Sequence, residues 1–432
     1  MDKIFLSGGT VVDPANNLNR KTSVCIANGR IVALGNVPDG FQWDREIHVP
    51  EQIICPGFID VCARLREPGE EHKGSIASET HAAMKAGITT LCCPPDTNPV
   101  IDTPAVVELI KDEASRIGKS KVLPIGALTQ GLKGESLSEM SVLTRAGCIA
   151  VSNADKSISS TLVLRRAMEY AASYDLLVLI RPNDLALCER GCAHEGEIST
   201  HLGLPGIPEA AETVALAQAL ALVAQLHVRV HFSQLSCAAS VRLIELAQQE
   251  NLAVTADVSA HQLHLTEYDI WNFDSYCHVM PPLRSKQDRD GLRQGIASGI
   301  ISAISSDHQP HEQGAKLNVF AATEPGISSL ETVLPLTLKL VDENVLTLSQ
   351  AIAALTSKPA SVLGINQGNL SVGSDADICI FDPKKQWVVC DDQWFSNGTN
   401  TPFWGETLSG NVTYTLIGGK VLFEYGSDNL IS

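Results

Sequence analysis

Both ends of the chain contain short segments in which apolar and polar residues alternate, a pattern typical of β-strands. Asn28-Gly29 and Gly418-Gly419 each separate two such segments, and both dipeptides favour two-residue hairpin turns. A single terminal segment would make only a marginal sheet, so we predict one small β-sandwich domain built from both ends. The strand-like segments are residues 4–12, 23–27, 30–34, 377–382, 414–417 and 420–423.

The middle of the chain alternates between short apolar runs and segments with helical periodicity. Strands that alternate with helices predict right-handed crossovers and a parallel sheet, and eight such units predict a (β/α)₈ barrel of the α/β class. We therefore predict a barrel over residues 53–365, flanked by sandwich segments 1–52 and 366–432. The apolar runs are residues 53–65, 87–94, 122–128, 148–153, 176–181, 228–236, 253–258 and 300–307. The helical segments include residues 75–86, 104–115, 160–173, 208–226 and 238–250, and residues 259–283 read as a long irregular loop.

Composition excludes several classes of partner. The 432 residues carry 32 Lys and Arg against 49 Asp and Glu, a net charge of −17, which argues against nucleic acid and anionic membranes. The most apolar helical stretch, residues 210–230, contains Glu212 and Arg229 and is interpreted as a buried helix that runs into a strand. The 12 Cys include no C-x-x-C pair, and the N-terminus lacks a signal-peptide pattern, so we expect a cytoplasmic protein with reduced thiols.

Chemistry in a (β/α)₈ barrel sits at the carboxyl ends of the strands. The first run ends in a polar motif that begins at Asp60 and finishes at Pro68-Gly69. Later strand ends hold Cys-Pro-Pro-Asp-Thr-Asn-Pro at 93–99 and Ser-Asp-His at 306–308, and Pro-Pro-Leu-Arg at 281–284 and Asn-Thr-Pro-Phe at 400–403 lie in connecting segments. Together these motifs resemble the dihydroorotases of the amidohydrolase superfamily over the whole chain. The resemblance implies a zinc-dependent cyclic amidohydrolase fold.

The chain departs from this family at its metal-ligand positions. The family's first-strand motif is D-x-H-x-H-L-R-x-P-G, and both histidines are replaced, by Cys62 and Arg64. The other ligand positions hold Asn153 (or Ala154), Arg181, Gln234 and Asp307, of which only Asp307 is retained. Arginine offers no lone pair and keeps its proton, so these residues do not make a catalytic zinc site. We expect no metal cofactor, and we expect Asp307 to pair with Arg64 or Arg181.

The resemblance also implies vestigial substrate contacts. Arg66 and Asn98 match the family's contacts to the substrate carboxylate, and His308 matches a position near the substrate. For Arg66 and His308, a bracing role inside the protein is the competing interpretation. Asp307 matches the family's catalytic acid–base position, but without a metal it has no activated water to serve. On the pairing hypothesis, Asp307→Ala would destabilise the fold by stranding a guanidinium.

Three hypotheses follow for function. In the first, the chain resembles dihydroorotase-like subunits that lack the zinc ligands. Such subunits associate with aspartate carbamoyltransferase and support its activity in pyrimidine biosynthesis. The resemblance implies a homo-oligomer, in the simplest case a dimer, inside a larger complex. The alternative is an active dihydroorotase, or another cyclic-amide hydrolase, that uses zinc on an altered site including Cys62 and Asp307. A third is ligand binding without turnover, through Arg66 and Asn98.

Overall fold

A computed structural model describes residues 3–426, and it confirms the eight-stranded parallel barrel. The predicted sandwich segments extend to residues 1–2 and 427–432, which lie outside the described residues. Every apolar run contributes a strand at the predicted place. The barrel strands, in order, are Phe58–Asp60, Ile88–Cys93, Lys121–Ala127, Ala150–Ser152, Val178–Ile180, Val230–Phe232, Val254–Ser259 and Ala303–Ser305. We refer to them below as barrel strands one to eight.

The barrel closes near its carboxyl end. Strands one and eight are joined just beyond their ends, where Ala63 bridges His308 in parallel and the Arg64 amide donates to the His308 carbonyl at 2.9 Å. This closure brings the residues that follow strand one against those that follow strand eight. The mouth of the barrel is therefore a single enclosed surface on which distant sequence motifs meet.

Helices surround the barrel as the periodicity predicts. Ser75 caps the first of them, because its hydroxyl accepts a hydrogen bond from the Ser78 amide. The α-helices are Ile76–Lys85, Pro104–Ile117, Met140–Ala146, Thr161–Ser173, Leu185–Cys188, Glu197–Leu202, Ala210–Leu226, Ala238–Gln249, Lys286–Ser298, Val333–Asp342, Leu348–Leu355 and Ser357–Leu363. Residues 260–277 form a series of short 3₁₀ turns, in keeping with the predicted irregular loop. None of the helices in residues 3–426 is both long and apolar enough to cross a membrane.

The terminal strands form two sheets that pack face to face, as predicted for the sandwich domain. The four-stranded sheet has the order Arg30–Leu34, Val24–Ala27, Ile4–Ser7, Arg45–His48. The six-stranded sheet has the order Lys420–Glu424, Thr407–Ile417, Ile378–Val388, Ile53–Pro56, Thr10–Asp13, Leu18–Lys21. A further two-stranded sheet, Ala193–His194 with Gly206–Ile207, lies outside both domains. Each predicted hairpin turn connects an antiparallel pair.

Two predicted strands are each divided in the structure. Residues 4–12 supply one strand to each sheet of the sandwich, with Gly8 and Gly9 between them. Residues 53–65 supply Ile53–Pro56 to the sandwich and Phe58–Asp60 to the barrel. Gly57 lies at this second division, where a Cβ atom would approach the Thr89 Cγ2 atom to 2.2 Å. Only glycine allows the chain to pass so close as it changes sheets.

The six-stranded sheet attaches the sandwich to the barrel because both of its faces are apolar. Val11, Ile54 and Ile378 point into the sandwich core. Their neighbours Val12 and Cys55 belong instead to the core that includes the barrel and its helices, together with Cys379 and Phe381. Alternate residues of a strand face opposite sides, so one sheet serves two hydrophobic cores and fixes the position of the barrel.

Candidate functional site

Arg64 lies at the centre of the barrel mouth and contacts three carboxylates. Its Nε atom donates to Asp96 Oδ2 at 2.8 Å, its Nη2 atom lies 2.7 Å from Asp155 Oδ2, and its Nη1 atom lies 3.4 Å from Asp307 Oδ1. The guanidinium side chain is only 5% exposed. The predicted pairing of an arginine with Asp307 is present through Arg64, and the guanidinium fills a position where the resemblance implies an imidazole ligand.

Arg181 pairs with Asp155 instead of Asp307. Its Nη1 atom lies 2.6 Å from Asp155 Oδ1 and donates to the Met280 carbonyl at 3.2 Å. Asp155 thus bridges two arginines whose side chains are nearly buried, and Arg181 ties strand five to the loop that precedes Pro281. Asp155 follows barrel strand four, and sequence reasoning did not select it. The sequence did contain a signal for Asp155. It is an acid two residues after Asn153, and the chain has arginines, Arg64 and Arg181, at two other positions that the resemblance assigns to metal ligands.

Gln234 and Cys62 complete the group around Asp307. The Gln234 Nε2 atom donates to Asp307 Oδ1 at 2.7 Å and to the Cys62 sulfur at 3.1 Å. Gln309 donates to the same carboxylate oxygen at 3.1 Å. Asp307 therefore receives hydrogen bonds from two amides as well as from Arg64, all of them on one oxygen.

Asn153 is not part of this cluster. Its Oδ1 atom accepts a hydrogen bond from Thr129 Oγ1 at 2.7 Å, and its Nδ2 atom donates to the carbonyl groups of Lys156 and Leu132. These contacts hold the loops after strands three and four together. The side chain is fully used in bracing, so Asn153, one of the two candidates for the ligand position on strand four, is structural in this chain.

Several residues at the mouth have left-handed backbone conformations. The φ angles are +50° at Ala154, +57° at Gln234 and +47° at Asp307. Non-glycine residues adopt this region rarely, and they cluster at functional sites where the surrounding structure holds them in place. Three residues of the mouth are therefore held in a backbone conformation that the surrounding contacts maintain.

Burial and charge shift the acidity of the carboxyl groups in opposite directions. Burial raises the pKa of Asp307 to about 7, although Arg64 opposes this shift. Burial also raises the pKa of Asp155, but Arg181 and Arg64 outweigh it and hold the pKa below its ordinary value. The pKa of the Cys62 thiol is raised well above its ordinary range by burial, although Arg64 opposes this shift.

Two aspartates below the mouth hold the strand ends in place. Asp60 Oδ1 accepts hydrogen bonds from the Ser306 amide at 3.0 Å and the Cys62 amide at 3.3 Å. Asp257 Oδ1 accepts from the Gln234 amide at 3.1 Å and from the Ser305 hydroxyl at 2.8 Å. Burial raises the pKa of Asp60 to about 6. These contacts fix the backbone from which the residues of the mouth project.

The donor atoms at the mouth do not fit zinc. A catalytic zinc site needs three protein ligands with lone pairs and one open position. The resemblance assigns six positions to metal ligands. Asn153 is engaged elsewhere, and two positions hold the guanidinium groups of Arg64 and Arg181. Gln234 donates its amide protons to the two residues that remain, Cys62 and Asp307. The positive charge of Arg64, 3.4 Å from Asp307, would also repel a dication. The mouth is a closed ion-pair network.

Arg66 is engaged within its own loop. Its Nε atom donates to the Pro310 carbonyl at 3.0 Å, and its Nη1 atom pairs with Glu70 Oε2 at 3.0 Å. Its Nη2 atom lies 3.3 Å from His311 Nε2. Asn98 is exposed on the adjoining loop, where its backbone N–H group donates a hydrogen bond to the Pro68 carbonyl. The guanidinium that the resemblance assigns to a substrate carboxylate is therefore bound to a carboxylate of the chain itself.

His308 makes its contacts inside the protein, as its bracing interpretation predicts. The ring is fully buried, its Nδ1 atom accepts from the Ser329 amide at 3.1 Å, and its Nε2 atom lies 2.8 Å from Glu79 Oε2. No ring nitrogen is left for a ligand at the mouth.

Among the described residues, one group of His and acidic side chains has atoms close enough together to hold a cation. It consists of His194, Glu209 and Asp288, whose ligand atoms lie within 4.8 Å of one another, and sequence reasoning did not select it. Arg284 Nη1 lies 3.2 Å from His194 Nδ1, and Asp288 accepts hydrogen bonds from Ser285 and Ala238. His194 and Asp288 are engaged internally, and the adjacent guanidinium of Arg284 disfavours a cation.

Comparison with known proteins places this geometry in a family. Residues 51–239 match the family described as "Dihydro-orotase-like", and residues 338–423 match the amidohydrolase family. The dihydroorotase-like protein of Pseudomonas putida is 50% identical over 97% of this chain and 98% of its own length. The dihydroorotase of Syntrophus aciditrophicus is 40% identical over 98% of this chain and 99% of its own.

Solved structures agree with the fold. The L-hydantoinase of Arthrobacter aurescens superposes with a TM-score of 0.89 at 23% identity, covering 99% of this chain and 97% of that one. A D-hydantoinase from Bacillus sp. AR9 has a TM-score of 0.82 at 22% identity, with 98% and 95% coverage. At this identity the likeness concerns the fold alone. The relatives of 40% and 50% identity over nearly the whole length show that the chain belongs to the dihydroorotase-like family of amidohydrolases.

Proposed function

We propose that this chain is a non-catalytic dihydroorotase-like protein that acts as a structural partner of aspartate carbamoyltransferase. One observation carries the first half of the proposal. Arg64, nearly buried, occupies a metal-ligand position and binds three carboxylates, so the site is filled by the side chains of the chain itself.

The chemistry of a cyclic-amide hydrolase needs an activated water and a polarised carbonyl group. A guanidinium cannot deprotonate water, because it is already fully protonated. Asp307 is the one acid retained at its family position, and its side chain is 2% exposed beneath hydrogen bonds from Gln234 and Gln309. A base so enclosed has neither a nucleophile to activate nor a path to a substrate.

The second half of the proposal rests on what the chain has kept. The sandwich, the barrel and the loop motifs are all complete, although the metal ligands are gone. A scaffold preserved without its chemistry supports a role that depends on the folded surface. Two relatives at 50% and 47% identity, from Pseudomonas putida and Pseudomonas aeruginosa, bear the name dihydroorotase-like protein, whereas those at 40% and 39% bear the name dihydroorotase.

Two experiments test the two halves separately. Expressed in cells that lack dihydroorotase, the chain should fail to restore growth without pyrimidines, and so should Arg181→His, because one imidazole does not rebuild the site. Growth with the unmodified chain would refute the non-catalytic claim. Mixed with the aspartate carbamoyltransferase chain of its own host, the protein should form a larger assembly by light scattering and raise or stabilise that enzyme's activity. Absence of a complex at micromolar concentrations of both chains would refute the partner claim.

One observation favours a second candidate, a hydrolase with an altered site. The pKa of Asp307, raised by burial to about 7, suits a proton acceptor at neutral pH, and Cys62 shares Gln234 with it. A metal held by Cys62 and Asp307 would have to displace Gln234 and overcome Arg64. Elemental analysis of protein purified without chelators distinguishes the candidates, since this one requires about one zinc per chain.

A further inference from the structure

Five large apolar side chains are exposed on two loops at the carboxyl end of the barrel. Tyr268, Trp271 and Phe273 lie on the loop after strand seven and are 57%, 44% and 49% exposed. Leu317 and Val319 lie on the loop after strand eight and are 75% and 72% exposed. A single exposed apolar residue is ordinary on a protein surface, whereas a group of them marks a contact site. We call these five residues the aromatic patch.

The two loops that carry the aromatic patch are fastened to one another. The Ser275 hydroxyl donates to the Lys316 carbonyl at 2.9 Å, and the Lys316 ammonium donates to the His278 carbonyl at 3.2 Å. The centres of the His278 and Phe320 rings lie 4.8 Å apart, and Phe320 shares a buried apolar cluster with Cys277 of the other loop. The patch therefore lies on one rigid base, which lowers the entropy lost when a partner binds.

Local structure holds the aromatic residues of the patch at the surface. The Trp271 ring stacks on His201, with ring centres 5.0 Å apart and an angle of 15° between the planes. Asn272 and Phe273 have φ angles of +67° and +59°, a left-handed conformation that bulky residues rarely adopt. Backbone strain of this kind concentrates at functional sites, and here it falls within the patch.

Carboxylates lie around the aromatic patch. Glu195 and Glu197 are exposed on the segment that supplies His201. Asp269, which is exposed, and Asp274, which is half-buried, lie among the aromatic residues of the loop after strand seven. That loop contains no Lys or Arg. We call these four carboxylates the acidic rim.

The basic residues nearby do not neutralise the acidic rim. Lys316 is buried, and its ammonium donates to two backbone carbonyl groups. Lys73 is buried as well and pairs with Glu324 at 3.2 Å. On the side of Tyr268, the adjoining segment 285–290 has two basic and two acidic residues and is neutral as a whole. The rim therefore keeps a net negative charge.

We propose that the aromatic patch is the surface on which aspartate carbamoyltransferase docks, and that the docked surface of that enzyme presents apolar side chains inside a ring of Lys and Arg. This rests on the proposed function, and it adds the contact surface and the chemistry of the surface that meets it.

Charge favours this occupant over two others. A second copy of this chain would bring one acidic rim against another, with a net charge of −17 on each chain. An anionic lipid surface carries the same sign and is repelled as well. A protein surface with an apolar centre and a basic edge complements both the patch and the rim. On the proposed function the barrel mouth takes no substrate, so a partner seated on its loops blocks no reaction.

The aromatic patch has the size of the centre of an interface. Aromatic side chains offer about 150–250 Å² each, so the exposed parts of the five side chains amount to on the order of 500 Å². A standard interface takes about 800 Å² from each partner. The patch would supply the apolar centre and the acidic rim the polar edge, and Trp and Tyr are the residue types that carry most of the binding free energy in such contacts.

The test compares two tryptophans of nearly equal exposure. Trp43, in the sandwich domain, is 41% exposed and stacks on Phe5 with ring centres 4.7 Å apart, much as Trp271 stacks on His201. Isothermal titration calorimetry measures the binding of the full-length chain to the aspartate carbamoyltransferase of its own host. Trp271→Ala should weaken binding at least about 30-fold, whereas Trp43→Ala should leave it within about twofold of the wild type.

A second pair of variants does not depend on how a tryptophan packs. Leu317 is 75% exposed, and Leu246, on helix Ala238–Gln249, is 57% exposed, so both positions tolerate lysine without loss of the fold. Leu317→Lys sets a cation against the basic ring and should weaken binding at least about 30-fold, whereas Leu246→Lys should not. Wild-type binding should also weaken as NaCl is raised from about 50 mM to about 300 mM, because salt screens the attraction between the rims.

The outcomes separate this inference from the proposed function. A wild type that binds the carbamoyltransferase, with Trp271→Ala and Leu317→Lys binding it as tightly as their controls do, would overturn the docking surface and leave the proposed function in place. Binding that does not change with salt would overturn the basic ring. A wild type that does not bind at all would refute the proposed function, and this use of the patch with it.

Discussion

Replacing Asp155 with asparagine removes the carboxylate that two nearly buried arginines share. Its oxygens lie 2.7 Å from Arg64 and 2.6 Å from Arg181. Arg64 keeps two other carboxylates, but Arg181 keeps only the Met280 carbonyl among the contacts described. Removing one partner of a buried ion pair costs about 3–5 kcal/mol. Asp155 is 31% exposed and water can reach the arginine it leaves, so we expect a loss of about 2–3 kcal/mol in the free energy of unfolding.

Urea denaturation at neutral pH, followed by fluorescence, measures this loss. Asp175→Asn is the matched control, because that aspartate also pairs with an arginine but is 86% exposed; it should cost less than about 0.5 kcal/mol. The double variant Asp155→Asn/Arg181→Met should recover part of the loss, since it removes the stranded charge as well. If Asp155→Asn costs no more than the control, the arginines are not held by Asp155, and the description of the mouth as a closed ion-pair network is wrong.

Three further predictions concern the mouth and the barrel. The pKa of Asp307 is about 7 in the folded chain, whereas its ordinary value is 3.8. As pH rises, this carboxyl group therefore loses its proton more readily in the unfolded chain. Its contribution to the free energy of unfolding falls between about pH 4 and pH 7. Asp307→Asn should therefore match or exceed wild-type stability at pH 8 in urea titrations; a large loss there would contradict the raised pKa. Protein purified without chelators should contain well under one zinc per chain by elemental analysis, and chelator should leave its melting temperature unchanged; a stoichiometric metal would contradict the ion-pair network. Gly57→Ala should cost about 1–3 kcal/mol through the contact with Thr89, and Thr89→Ala in the same chain should restore part of it, which urea titration of both variants checks.

The contacts of Arg64 change the stability that we expect of Asp307 variants. From the sequence, removing Asp307 strands a guanidinium and destabilises the fold. In the structure Arg64 has Asp96 and Asp155 as further partners, so the loss of Asp307 does not leave it unpaired. The residue whose loss strands a charge is Asp155. The sequence shows which charged residues lie at the barrel mouth. The ion-pair partner of each charged residue depends on distances between loops that are remote from one another in the chain.

The order of the elements was determined by the sequence. Eight apolar runs separated by helical segments predict a parallel barrel, because each run can be buried only if the helix after it returns the chain to the same edge. The hairpins at Asn28-Gly29 and Gly418-Gly419 could also be predicted from the sequence, because the type of a tight turn depends on adjacent residues. The sequence also showed arginines at two of the positions that the resemblance assigns to metal ligands, and the identity of a side chain decides whether it has a lone pair to donate.

Tertiary structure alone decided how continuous segments divide and what each polar side chain binds. The run 53–65 enters two sheets because Gly57 passes against Thr89, a contact between residues 32 positions apart. His308 points to Glu79 and Arg66 to Glu70, so the distances favour the bracing interpretation of both residues over substrate contact. A pattern of residue types records which groups are polar and which are buried. The choice among several possible partners is made by the distances that the folded barrel imposes.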